Sequence, residues 1–270
     1  MKQLLLLLFP VVFVACKSGL DPNPGTLNLS LNHTVNGKPL VLATETYRNQ
    51  SGESFTITKF DYYLTNIRLL RADGSAYTVP QDDSYFLIRS SDPTTQNITL
   101  TGIPAGDYSQ LEFMIGVDSL RNTADVSRRK GVLDPGGSHT SGMYWDWNTG
   151  YIHLKMEGTS PSVPASASGG QNFLYHIGLF GGYQSRTLNN LRTVRVPLGI
   201  AATPSANRLS VGSDLNTQLM IRVDAGKLFD GPTPVRIAEH PAVMVSDFST
   251  TLANNYATMF SFGFSTSASK

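Results

Sequence analysis

Residues 27–35 alternate strictly: Leu27, Leu29, Leu31, His33 and Val35 fall on one face of an extended strand, and Asn28, Ser30, Asn32 and Thr34 on the other. Asn36-Gly37 is the turn signal of a tight hairpin, and Lys38-Pro39-Leu40-Val41-Leu42 reads as a short return strand. Alternation resumes through Phe55 and Ile57, then through Tyr63, Thr65, Ile67 and Leu69, until Asp73-Gly74 closes it. Shorter apolar runs follow at 85–88, 98–100, 111–117, 173–177, 193–198 and 218–223, with Gly, Pro and Asn between them. Helical periodicity is scarce: residues 225–230 read as a single turn and 247–259 as the one substantial helix. Strands at roughly 8–12-residue spacing with turn chemistry between them predict an all-β chain. The expected architecture is an antiparallel β-sandwich with long loops and at most one or two short helices. No repeat or boundary divides it, so 27–264 reads as one domain and 265–270 as a C-terminal tail.

The first residues follow a different pattern. Leu4 to Val14 is an apolar run of signal-peptide length, too short for a stable transmembrane anchor. It ends in Phe13-Val14-Ala15-Cys16, which resembles a bacterial lipobox. On that reading 1–15 is a lipoprotein signal peptide and Cys16 becomes the acylated N-terminus, firmly held by several acyl chains. Residues 16–26, with Pro22, Pro24 and Gly25, form the tether. Lys17 after the cysteine fits an outer-membrane destination in a Gram-negative bacterium. Cys16 is the one cysteine of the chain, so the domain relies on its core rather than on a disulfide.

Net charge is +1 with 15% charged residues and no long basic run, which argues against nucleic acid as a partner. The chain has no Gly-x-Ser-x-Gly elbow, phosphate loop or His-Glu-x-x-His motif, and no CxxC pair. The expectation is a protein that is not an enzyme. Arg128-Arg129-Lys130 reads as a solvated loop, and His139 as an exposed residue of a glycine-rich one.

The densest chemistry lies in residues 142–158, Gly-Met-Tyr-Trp-Asp-Trp-Asn-Thr-Gly-Tyr-Ile-His-Leu-Lys-Met-Glu-Gly. In an extended strand Trp145 and Trp147 share a face. Such a pair serves equally as a core plug, or with Tyr144 as a stacking platform for a glycan or a surface partner. His33, His153, His176 and His240 lie in or beside predicted strands, far apart in sequence. An imidazole-rich site without thiolates suits copper, and zinc less well. Glu157 before Gly158 reads as a turn anchor.

Several stretches in order resemble the MbnP-like copper-binding family, methanobactin-associated proteins with relatives among exported lipoproteins. They are Asn32-His33-Thr34-Val35-Asn36-Gly37-Lys38-Pro39-Leu40, Phe60-Asp61-Tyr62-Tyr63-Leu64-Thr65-Asn66-Ile67-Arg68-Leu69, Pro104-Ala105-Gly106-Asp107-Tyr108 and Phe113-Met114-Ile115-Gly116-Val117-Asp118. Gly142-Met143-Tyr144-Trp145-Asp146-Trp147, Gly150-Tyr151, Glu157-Gly158 and His176-Ile177-Gly178 complete the set. The resemblance implies a β-sandwich that binds copper through histidines and a tryptophan oxidised to kynurenine. The oxidising partner would be a dihaem protein of the MbnH or cytochrome c peroxidase type. His33, His176, His240 and Asp118 would then be metal ligands, and Trp145 or Trp147 the modified residue. His153 matches only weakly. Membrane attachment through Cys16 would make the protein extracytoplasmic.

Overall fold

The computed structural model describes residues 23–137, 142–145, 148–165, 170–199 and 208–270. The lipobox with Cys16, the loop residue His139, and Asp146 with Trp147 lie outside the described residues. Two sheets face each other. The smaller combines β1 (Gly25–Val35), β2 (Lys38–Pro39), β7 (Asn97–Ile103), β14 (Leu215–Asp224) and β16 (Phe260–Ser269). The larger is built on β4 (Ser54–Leu70) and adds β3 (Tyr47–Arg48), β5 (Ala76–Thr78), β6 (Tyr85–Arg89), β9 (Gln110–Ile115), β10 (Leu154–Thr159), β11 (Asn172–Ile177), β12 (Arg192–Pro197) and β15 (Ala242–Val243). A ribbon of β8 (Gly106–Tyr108) and β13 (Leu209–Val211) stands apart. The helices are α1 (Ser119–Asn122) and α2 (Ser249–Tyr256).

The all-β sandwich matches the sequence pattern, and the apolar alternation of β1 is the buried face: Leu27, Leu29, Leu31 and Val35 are all at most 3% exposed. They meet Phe60, Tyr62, Leu154 and Met156 of the larger sheet in one continuous core. Asn36 and Gly37 adopt φ 51° and 82°, the left-handed pair that a tight hairpin needs. Two pairings are not antiparallel. β1 runs parallel to β14, Leu27 opposite Thr217 through Thr34 opposite Asp224, and β15 runs parallel to β11. Period-two patterning specifies which face is buried but not which neighbour lies alongside. Residues 265–270, read as a tail, belong almost wholly to β16, which pairs with β14 out to Ser269.

Strand β4 positions everything that follows. At Tyr62 its two neighbours are Leu154 and Ile88, whereas at Leu64 they are Ile115 and Phe86. Strands β10 and β9 therefore share one edge of β4 end to end, while β6 holds the other. They part at Tyr63, whose N–H donates to the His153 carbonyl and whose carbonyl accepts from Gly116 N–H, each at 3.0 Å. From this fork segments 116–122, 142–145 and 148–153 spread over the outer face of the larger sheet. There Tyr63, Leu87, Val117, Leu133, Met143, Tyr151 and Ile152 make a second apolar cluster.

Candidate functional site

The aromatic stretch is not the extended strand that its spacing predicts. Tyr144 and Tyr151 form an isolated antiparallel bridge, with Trp145 N–H donating to the Gly150 carbonyl and Ile152 N–H to the Met143 carbonyl, both at 2.9 Å. Residues 143–145 and 150–152 thus pair as the two arms of a narrow hairpin, and the regular strand begins only at Leu154. Gly142 and Gly150 account for the difference, at φ 73° and 68°. Both values lie in the left-handed region that favours glycine. At Gly150 a Cβ would also strike Asn122 Oδ1.

Trp145 is half-buried and packs against the outer cluster. Its ring lies over Gly178, where a Cβ would come within 2.5 Å of Trp145 Cζ3 and 2.9 Å of the Tyr151 carbonyl oxygen. Tyr144 stacks obliquely on Tyr151, centroids 5.0 Å apart at 58°. Arg129 Nη1 donates to the Tyr144 hydroxyl at 3.2 Å, and its guanidinium sits 5.6 Å from that ring's centroid. Of the basic run only Arg128 and Lys130 are exposed; Arg129 is half-buried. The two tyrosines and Trp145 are therefore packed side chains, not a flat open platform.

Two residues before Gly178 on the same face of β11 is His176. Its Nε2 lies 2.8 Å from Glu157 Oε1. Lys155 is its neighbour across the ladder, and Asp61 the next beyond. The Lys155 ammonium donates to the Gly142 carbonyl and so ties the hairpin's base to the sheet. Burial lowers the pKa of His176, the nearby Lys155 charge lowers it further, and Glu157 opposes both. Burial likewise lowers the Lys155 amine and raises the Asp61 carboxyl, whose Oδ1 has no hydrogen-bond partner among the described residues. This face joins an imidazole and a carboxylate held by β11 and β10 with an indole held by the hairpin above them.

The other candidates lie elsewhere. His33 is 8% exposed on the inner side of β4, with Nε2 3.0 Å from the Tyr62 hydroxyl and Nδ1 3.1 Å from Ser90 Oγ. Burial pushes its pKa down to about 4. Tyr62 and Asp61 are adjacent in β4 and point to opposite faces, so the large sheet separates His33 from His176 and Trp145. His240 stacks on Phe248, centroids 3.6 Å apart. Asp118 caps α1: Oδ1 accepts from Arg121 N–H at 2.9 Å, and Oδ2 from the Tyr85 hydroxyl at 2.6 Å. Among the described residues, no three His, Cys, Asp or Glu side chains are grouped to hold a metal ion.

Sequence reasoning passed over Lys155, Asp61 and Gly178. The first two carried a signal, being charged residues at alternate positions of otherwise apolar strands. His153 is fully buried at the fork, both ring nitrogens without a hydrogen-bond partner among the described residues, and burial pushes its pKa down to about 4.

These features define a class: a two-sheet β-sandwich whose larger sheet carries, on its outer face, a histidine–carboxylate pair beneath a tryptophan hairpin. The family model MbnP matches residues 24–246, and the chain belongs to the MbnP family. Its fold is shared by the solved structure of MbnP from Methylosinus trichosporium, with a TM-score of 0.53 and 16% sequence identity over 83% of this chain and 82% of that one. No curated protein matches the chain significantly.

Proposed function

We propose that this protein is an extracytoplasmic, lipid-anchored copper-binding protein whose site forms around His176 when Trp145 is oxidised to kynurenine. The observation that carries this reading is the seating of the Trp145 ring on Gly178, two residues from His176 on one face, with Glu157 bonded to His176. The donor set fits copper in part. One imidazole and one carboxylate are in place, and kynurenine adds an aromatic amine where the indole N–H could only donate a hydrogen bond. When bound, copper would be held by His176 and that amine, with Glu157 orienting the imidazole. His33, bonded on both nitrogens across the sheet, keeps a packing role here.

Conversion of Trp145 requires an external oxidant, which we assign to a dihaem peroxidase-like partner using peroxide. Cleavage of the indole C2–C3 bond is a four-electron oxidation that places one oxygen atom on each of the two carbons and consumes two peroxides, each reduced to water. Hydrolysis of the resulting formamide then releases formate and leaves the aromatic amine and a ketone. The half-buried ring is anchored at one edge by Gly178 and framed by the hairpin, so it is held in place without being sealed in the core.

The test is co-expression with such a partner, followed by peptide mass mapping and copper analysis. Oxidation at Trp145 with copper retained by wild type and lost in His176→Ala is the expected result. Copper retention in His176→Ala equal to wild type would overturn the assignment.

A further inference from the structure

The geometry points to a docking face for the oxidising partner beside the tryptophan hairpin. It has an apolar centre formed by Tyr183, Val126 and Leu120 and a basic rim, and it fits a protein surface with an apolar centre and an acidic rim. This inference rests on the oxidation of Trp145 proposed above and adds the place where the oxidant's protein is held. A cavity of about 460 Å³ is lined by Asn122, Val126, Arg129, Tyr144, Gly150 and Tyr183 among others. Tyr144 and Gly150 belong to the hairpin arms, and the Gly150 carbonyl accepts from Trp145 N–H. A protein seated on this cavity therefore stands against the arm that carries the indole, and electron transfer weakens steeply with distance.

Single exposed apolar residues need no explanation, but here they gather. Leu120 at 79%, Tyr183 at 66% and Val126 at 57% are the three most exposed large apolar side chains among the described residues. Val126 and Tyr183 line the cavity, and Leu120 lies on α1 two residues before Asn122 of its wall. Their backbone is fixed. Asn148 Oδ1 accepts from Tyr183 N–H at 2.7 Å, and Nδ2 donates to the Ser185 carbonyl at 2.7 Å, so a hairpin residue clamps the loop that displays Tyr183. Ser119 Oγ donates to the Phe180 carbonyl at 3.1 Å, and Asn122 Oδ1 accepts from Tyr151 N–H at 3.1 Å, which ties α1 to the same loop and hairpin. An exposed aromatic on such a loop loses little freedom on binding, as an interface anchor requires. Charge supplies the partner's character. Residues 122–130, 144–150 and 180–187 carry four cations, Arg128, Arg129, Lys130 and Arg186, against two carboxylates, Asp125 and Asp146, in a chain of net charge +1. Arg128, Lys130 and Arg186 are exposed, and an acidic face opposite them would be drawn in and oriented.

The probe is a purified dihaem peroxidase-like protein supplied with peroxide, and the readout is the rate of Trp145 oxidation followed by peptide mass mapping. At limiting partner, Tyr183→Ala should slow oxidation about tenfold. Arg128→Glu combined with Lys130→Glu should slow it about tenfold at low salt, a difference that closes at high salt. In both variants the thermal midpoint and the rate at saturating partner should match wild type, which separates lost docking from lost folding. Phe264→Ala removes an exposed ring from the smaller sheet and should leave the rate unchanged. Wild-type rates at low salt in either docking variant, or an equal loss in Phe264→Ala, would overturn this face while the oxidation of Trp145 stands. If wild-type Trp145 is not oxidised at all, both readings fall together.

Discussion

His33 and His176 look alike in the sequence, each a lone histidine in a β-strand followed by a glycine-containing turn. The structure gives them opposite surroundings. His33 lies between the sheets with both nitrogens engaged, by Tyr62 and Ser90, and with Phe60 at a centroid distance of 5.4 Å. His176 lies on the outside of the larger sheet with one nitrogen engaged by Glu157 and a tryptophan seated two residues away. The difference teaches that alternation assigns a histidine to a face, whereas the second layer decides whether that face is core or site.

Acid should separate the two most strongly. His33 and His153 fall to about 4 from an ordinary value of 6.5, so on acidification the unfolded chain takes up their protons first. Stability from these groups is complete above pH 6.5, declines between 6.5 and 4, and levels off below 4. Each contributes on the order of 3 kcal/mol. Urea midpoints at neutral pH and just above pH 4.5 should show the loss, and His153→Leu should flatten it; an unchanged slope in that variant would count against buried His153 as a cause.

Next in size is the exchange of roles between the two strand histidines. His33→Leu leaves the Tyr62 hydroxyl unpaired in the core and should cost about 2–3 kcal/mol with copper per folded molecule unaltered. His176→Ala should cost less than about 1 kcal/mol, its partner Glu157 being partly solvated, yet abolish copper retention. The contrast breaks if His33→Leu sheds copper at full stability. A smaller effect is expected from Gly178→Ala, whose methyl would collide with the Trp145 ring: about 1–2 kcal/mol, together with a changed tryptophan emission. Unaltered emission would mean that the ring does not rest there. Smallest in stability is Glu157→Gln, within about 0.5 kcal/mol of wild type, because the amide can still bond His176. Its copper affinity should nonetheless drop about tenfold if Glu157 orients the imidazole.

Much of the fold was legible because β1 has one face in the core, and burial writes itself there as period two. Strand β4 was read less well, because Phe60 to Thr65 are buried on both faces and Tyr63 faces the outer cluster while Ile67 and Leu69 face the core. Asn36-Gly37 was legible because few residues tolerate its backbone, and the helix read at 247–259 appears as Ser249–Tyr256. Residues 142–145 and 148–153 depart from the extended reading because Gly142 and Gly150 turn the chain into a hairpin, whereas Leu154 to Gly158 belong to β10. Asp118, which the resemblance offers as a ligand, also precedes Ser-Leu-Arg as a helix cap does, and in the structure it caps α1. Residues 265–270 look like a tail because their Ser, Thr and Ala residues give no apolar rhythm, although Phe260, Phe262 and Phe264 earlier in β16 do alternate. The neighbours of His176 depend on pairings between distant strands, which no local window records.

The parallel pairing of β1 with β14 also sets the order in which this chain can fold. Leu27 waits for Thr217 before the centre of its sheet can close, and such long-range closure is slow. During synthesis the apolar face of β1 is complete early, with only β2 and β7 as sheet neighbours, until residues 217–224 emerge. A polypeptide with this topology keeps its smaller sheet open for most of its production, and a fragment ending before residue 215 lacks β14 and has no means of completing that sheet.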